Sequence, residues 1–185
     1  MIHLLWLNPE ALACATEEVR RVVRDAASPT LDEMAQLEYV EACAHETMRL
    51  KPVAPILPLQ AVHEVTIGDV RVPAGVIIQN IMRSDSVSDS HLSRATAFEP
   101  ERWLAGTDGP SALANAAKRI SMPFGAGPRI CPGRYLALLE MKMAIAVLLG
   151  NFEIENVATP DGGEAREHLA FTMQPVGLRM RLRKR

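Results

Sequence analysis

Residues 132–149, PGRYLALLEMKMAIAVLL, carry apolar side chains on nearly every face of the helix they would form. A helix without a polar stripe must be covered from several sides, so the rest of the chain is expected to wrap around it as a buried helix. Glu140 and Lys142 in its middle, and its length, argue against a membrane span. Pro132-Gly133 opens this helix, and Gly150 is expected to stop it. At 185 residues and 48% hydrophobic content, the chain has enough apolar material to bury the core of one domain.

Upstream, Asn8-Pro9 reads as an N-cap followed by a first-turn proline. Leu12, Ala15, Val19, Val22 and Val23 then recur at helical spacing, giving a helix over 9–27 that Ser28-Pro29 breaks. Thr30 with Glu33 three positions later is a capping box, which opens a second helix over 30–51, kinked near Leu37 and ended by Pro52. Residues 56–82 change to β texture: VTI and VRV flank the turn dipeptide Gly68-Asp69, and VIIQNIM follows Pro73-Ala74-Gly75. Residues 83–130 are mostly loop, with short helices expected near 92–97 and 111–118. A loop this long is usually functional or wrapped around a ligand. After the apolar helix, strands are expected within 151–183, as FEIE, FTM and LRMRLR. The arginines at 179, 181 and 183, followed by Lys184 and Arg185, then form the wet face of the last one. The fold class is mainly α with small β-sheets (α+β), a single domain.

Charge and cysteine usage narrow the function. Twenty basic residues against 22 acidic ones leave a net charge of -2, which gives no reason to expect nucleic acid or an anionic membrane as partner. Cys14, Cys43 and Cys131 are too few and too scattered for a disulfide framework, and none forms a CxxC pair. The start MIHLLWLNPE lacks a basic n-region, and its apolar run is too short for a signal peptide or a span. A reducing, cytoplasmic setting is the expectation. His3, His45, His63, His91 and His168 are dispersed and show no ligand spacing.

The chemistry concentrates in Phe124-Gly125-Ala126-Gly127-Pro128-Arg129-Ile130-Cys131-Pro132-Gly133. This run presents one cysteine at the mouth of a helix, where the positive helix end favours a thiolate. Gly125 and Gly127 permit a tight turn and the close approach of something flat, and leave amide N–H groups to point at the sulfur. Arg129 can offer a fork of donors to a carboxylate. Such a set suits an iron porphyrin with propionates. A second constellation is Glu46 and Arg49, three apart on a helix whose neighbours Val40, Cys43, Ala44 and Leu50 are small or apolar. An exposed pair of this kind means little, but a buried one needs further compensation. Arg102, in Phe98-Glu99-Pro100-Glu101-Arg102-Trp103, is the candidate third member.

Taken together, Phe124, Gly127, Arg129, Cys131 and Gly133 resemble the cysteine-loop signature of the cytochrome P-450 family, the heme-thiolate monooxygenases. The family also has the Glu-x-x-Arg helix and the Pro-Glu-Arg-[Phe/Trp] segment in this order, and Leu136 to Glu140 resemble its next helix. The resemblance covers essentially the whole chain and implies the C-terminal, heme-binding part of that fold. It implies heme b (iron protoporphyrin IX) as cofactor, with Cys131 as thiolate ligand of the iron and Arg129 on a propionate. Phe124, Gly125, Gly127 and Gly133 would complete the heme-binding loop. It also implies a structural lock of Glu46, Arg49 and Arg102, and a substrate pocket lined by Val53, Ala54 and Ile56 and by Phe171, Thr172 and Met173. The partners it implies are O2, an apolar small molecule and a redox protein of ferredoxin, flavodoxin or reductase type. That redox protein would dock on the proximal face near Lys118, Arg119 and Arg134.

Two departures stand out. Family members are more than twice as long, and their oxygen-activating acid/alcohol pair lies on a helix of which Met1 to Leu7 resembles the last turns. The pair is therefore expected to be missing, and the chain is expected to be truncated at its N-terminus. Gln60 stands near where many relatives place a second propionate-binding arginine. The rival readings are a truncated, catalytically inactive heme-binding remnant and a heme-free scaffold.

Overall fold

The computed structural model describes residues 1–104, 117–163 and 165–185. Its helices are α1 (Ile2–Leu7), α2 (Pro9–Val22), α3 (Leu31–Ala35), α4 (Glu38–Leu50), α5 (Met82–Ser86) and α6 (Arg134–Asn151). The strands are β1 (Ile56–Gln60), β2 (Val65–Ile67), β3 (Val70–Val72), β4 (Ile77–Ile81), β5 (Phe152–Ala158), β6 (Arg166–Leu169), β7 (Met173–Val176) and β8 (Arg179–Lys184). Among the described residues they pair as antiparallel ribbons, β1 with β4, β2 with β3, β5 with β8 and β6 with β7. Helices dominate, with small sheets at the margins.

The core lies where α2, α4 and α6 meet. Ala11, Ala15 and Val19 form one stripe of α2 and pack with Val40 and Cys43 of α4 and with Ile145, Ala146 and Leu149 of α6. Leu37 and Met34 close it from the α3–α4 corner. Each large apolar side chain buried there contributes roughly 1.5–3 kcal/mol. The first turn of α4 obtains its cap from another helix: the buried Glu18 carboxylate on α2 accepts the N–H groups of Tyr39 and Val40, both at 2.9 Å.

Several boundaries differ from the sequence reading. The helix expected over 9–27 ends at Val22, and Asn8 stands at its N-cap without a side-chain cap bond; the Asn8 side-chain NH2 donates to Leu4 O at 2.8 Å. The helix expected over 30–51 is two helices. Thr30 and Glu33 form the full capping box of the first, and the corner falls at Gln36–Leu37. The apolar helix begins at Arg134 instead of Pro132 and runs through Gly150 to Asn151. Gly150 is therefore not its stop. An ideal Cβ there would stand 2.3 Å from Ala26 Cβ, so glycine is needed because the chain after α2 crosses at that point. Nor is α6 buried all round, since Tyr135, Leu136 and Val147 are exposed, Leu136 at 59%. Apolar composition says what a helix tolerates as neighbours, not how many it has.

In the β region the Gly68-Asp69 hairpin is present, with Val65 opposite Val72. The apolar run at its end turns helical, however, and Met82–Ser86 form α5. Residues 92–97 form turns instead of a helix, with Arg94 at a left-handed φ of 51°. Of the helix expected near 111–118, residues 111–116 lie outside the described residues, and 117–120 are helical. Phe171 and Thr172 form the turn between β6 and β7 instead of a strand. The alternating arginines of β8 face acids across the ribbon, with Arg181 Nε 3.0 Å from Glu155 and Arg183 on both Glu153 and Glu155.

Candidate functional site

The segment from Met122 to Arg134 is a chain of tight turns. Gly125 and Gly127 lie at φ values of 70° and 69°, the left-handed region where a Cβ is costly. Gly125 N–H donates to Met122 O at 2.9 Å, Ile130 N–H to Gly127 O at 3.1 Å, and Cys131 N–H to Phe124 O at 2.8 Å. The last bond closes the loop and sets Cys131 three residues before the start of α6. The Gly125 and Cys131 amides are thereby engaged with carbonyls, and neither is left for the sulfur. Cys131 is a free, half-buried cysteine. A Cβ at Gly133 would lie 3.8 Å from its Sγ, whereas one at Gly127 would meet nothing within 4 Å. Leu57 Cδ2 approaches the loop at Gly125, 3.9 Å from where a Cβ would stand. Phe124 is half-buried and Arg129 exposed; among the described residues Arg129 has no ion-pair partner. Cys43 makes the contrast: it is wholly buried in the core, where burial pushes its thiol pKa far up.

Glu46, Arg49 and Arg102 come together. Arg49 Nε and Nη2 donate to the two carboxylate oxygens of Glu46 at 2.8 and 2.7 Å, and both residues are fully buried. The remaining donors of Arg49 reach main-chain carbonyls: Nη1 to Ser86 O and to Ala95 O at 2.6 Å, and Nη2 to Ala97 O at 3.0 Å. Glu46 also accepts the indole N–H of Trp103 at 2.8 Å and the amide of Glu99 at 3.0 Å. Arg102 Nε lies 3.4 Å from Glu46 Oε1 but is not aligned for a hydrogen bond, so its contribution there is charge alone. Its Nη2 holds Glu99 and the Arg94 carbonyl, the latter at 3.0 Å.

The sequence reading omitted Trp103, Glu99 and the carbonyl acceptors from this cluster. An aromatic after Pro-Glu-Arg was a readable signal for Trp103; carbonyls carry none. His45 stacks on Trp103 with ring centroids 5.0 Å apart. Burial lowers its pKa, helped by Lys118 and Lys142 and opposed by Glu41.

The two pocket-candidate segments also meet. Met173 N–H donates to Val53 O at 2.7 Å, while the side chains of Val53, Ile56 and Phe171 remain exposed, Phe171 at 98%. Ala54 and Thr172 are likewise exposed and Met173 is half-buried. Nearby, Glu167 holds Lys51 and Arg83. Burial opposes ionisation of Glu167, but hydrogen bonds from Arg83 and Lys51 outweigh it and hold its pKa below the usual carboxylate value. Gln60 donates to Gly75 O at 3.0 Å, across the mouth of the β1–β4 ribbon. A groove of about 560 Å³ lined by Cys14, Tyr39, Phe98 and Glu101 shares no residue with the cysteine loop.

This architecture is that of a known heme domain. The solved heme domain of cytochrome P-450DA superposes with a TM-score of 0.84 at 24% identity, covering all of this chain and 39% of its own. The family description of cytochrome P-450 matches residues 1–181. Cytochrome P-450 93G1 of Oryza sativa subsp. japonica is 36% identical over 154 residues, 83% of this chain and 30% of that protein. The cytochrome P-450 monooxygenase FUM2 of Gibberella moniliformis is 36% identical over 166 residues, 88% of this chain and 34% of its own length. The chain belongs to the cytochrome P-450 family, and it spans about a third of the length of these curated relatives. Among the described residues, no helix is long and apolar enough to cross a membrane.

Proposed function

We propose that this chain forms the heme-proximal part of a monooxygenase that inserts one atom of O2 into an apolar organic substrate. Cys131 is the thiolate ligand of heme b (iron protoporphyrin IX). One observation carries the reading: Cys131 is fixed by the Phe124 carbonyl in a turn that needs two left-handed glycines, yet the residue is only half-buried. A structural cysteine in this chain looks like Cys43, sealed in the core.

The residues present fit a porphyrin. The space beside Gly127 is open. Exposed apolar side chains at Ile56 and Ile130, and Leu57 against the loop, offer apolar surface. Arg129, with no ion-pair partner among the described residues, offers a fork of donors for a propionate. Bound there, heme supplies the redox chemistry of O2 activation. Phe124 shields the sulfur, and Gly125, Gly127 and Gly133 keep bulk away from it. Glu46, Arg49 and Arg102 fix the loops around the cluster without touching the reaction. Val53, Ala54, Ile56, Phe171, Thr172 and Met173 hold the apolar substrate and exclude water. Exposed Lys118 and Arg119, with Arg134 beside Cys131, present positive charge to an acidic redox partner of ferredoxin, flavodoxin or reductase type. The chain's free cysteines suit a cytoplasmic setting.

The test is reconstitution with hemin, reduction with dithionite and addition of carbon monoxide. A thiolate-type Soret shift that disappears in Cys131→Ala is expected. Failure of the parent chain to take up heme would point to a scaffold and overturn the assignment.

A further inference from the structure

Outside the cysteine loop and the Glu46 cluster, a three-member group of charges joins elements remote in sequence. The Glu167 carboxylate on β6 accepts Lys51 Nζ at 2.5 Å and both terminal nitrogens of Arg83, with Nη2 at 3.2 Å. Lys51 follows α4, and Arg83 lies on α5. Side-chain exposures of 24% for Glu167, 31% for Arg83 and 36% for Lys51 mean that water screens the cluster only in part. An isolated surface pair would carry little. Here a single carboxylate serves two cations from two elements, and without it those cations would face each other.

The cluster sits where two apolar segments are stapled by the main chain. Val53 O accepts Met173 N–H at 2.7 Å, and two residues on, Pro55 O accepts the N–H of Met82, the first residue of α5, at 3.0 Å. Residues 53–55 are thus tied to the β6–β7 hairpin and to α5, and Glu167 ties the hairpin to α5 directly. Phe171 stands at the hairpin tip, two residues from the staple.

We propose that Glu167 is a positioning residue of the apolar substrate pocket: it clamps the Phe171–Met173 turn against Val53–Ile56 and so sets affinity for extended apolar ligands. The proposal rests on the reading of these two segments as pocket walls. Glu167 touches no reacting atom in this scheme. It acts through the hairpin it holds.

The experiment has two arms. In the first, amide hydrogen exchange is followed in the parent chain and in Glu167→Gln. Met173 N–H should exchange about fivefold faster in the variant, the size expected when two part-exposed ion pairs are lost. The Leu182 amide, in the β5–β8 ribbon, should not change. Adding Arg83→Met to the variant removes the stranded cation and should recover part of the protection. Loss of protection throughout the chain would signal general unfolding and overturn the clamp, as would an unchanged Met173 rate.

In the second arm, heme-loaded protein is titrated with imidazole and with 4-phenylimidazole. The first needs only the iron, whereas the second also needs the walls. The affinity ratio between them should fall about fivefold in Glu167→Gln, matching the loss in protection, while the carbon monoxide spectrum stays that of the parent. Faster exchange with an unchanged ratio would overturn the specificity role. Failure of the parent chain to take up heme would instead remove the pocket reading, while the exchange arm still decides the clamp.

Discussion

Replacing Glu46 with glutamine keeps the side-chain volume and removes one charge from the middle of the buried cluster. The carboxylate accepts four hydrogen bonds, two from Arg49, one from the Glu99 amide and one from the Trp103 indole. A glutamine carbonyl can accept two of them, and its NH2 group must then face donors. Breaking one side of a buried ion pair costs about 3–5 kcal/mol, because the partner charge is left uncompensated. Arg49 keeps the carbonyls of Ser86, Ala95 and Ala97 after the change, which places the expected loss near the low end, about 3 kcal/mol. For a domain of this size that corresponds to a fall in Tm of about 6–12 °C. Guanidinium denaturation followed by far-ultraviolet circular dichroism measures it, with an unchanged m-value as the sign that the folded state is intact. A double-mutant cycle sharpens the test: Trp103→Phe should cost about 1.5–3 kcal/mol in the parent and clearly less in Glu46→Gln. A loss below about 1 kcal/mol for Glu46→Gln, or strict additivity with Trp103→Phe, would refute the reasoning.

Two further predictions use other parts of the fold. Helix propensity favours Ala over Gly by about 1 kcal/mol, yet Gly150→Ala should destabilise by about 1–3 kcal/mol, since its Cβ would collide with Ala26. Thermal melts give the sign, and a stabilised variant would rule out the close crossing after α2. His45 should titrate below the ordinary histidine value in a proton NMR titration, because burial against Trp103 disfavours the cation. Its contribution to stability is present above the unfolded-state pKa and is lost as pH falls through the lowered folded-state value, so His45→Phe should flatten the stability profile below about pH 6.5. A normal or raised titration midpoint would contradict the buried stack.

The sequence made some of this architecture readable because the signals were local. Thr30 and Glu33 are three residues apart, and Gly68-Asp69 sits between two β-branched triplets, so each motif contained its own partner. The Glu46–Arg49 pair was visible for the same reason, as was the cysteine loop, whose turns are specified by its own glycines. What escaped notice was non-local. Glu18 caps a helix 21 residues away, Trp103 reaches back to Glu46, and Arg49 is satisfied by carbonyls that no side chain announces. Gly150 looked like a terminator because its neighbour in space, Ala26, is more than a hundred residues distant in sequence. The α5 helix was hidden behind the β-branched run that precedes it, and the exposed flank of α6 behind uniform apolarity.

The stretch from Ser86 to Ala97, with four serines, reads as disposable surface. Yet Arg49 and Arg102 together hold the carbonyls of Ser86, Arg94, Ala95 and Ala97. Every one of those contacts is blind to side-chain identity and sensitive to position along the thread. Rewriting the exposed letters between these anchors should be cheap, but not buried Leu92 and Ala95, nor Asp89, whose carboxylate accepts the Ala95 N–H at 2.7 Å. Adding or dropping a single residue would slide the carbonyls by up to about 3.5 Å, further than any hydrogen bond can stretch. The segment behaves as a ruler, free in spelling only at its exposed positions and fixed in length.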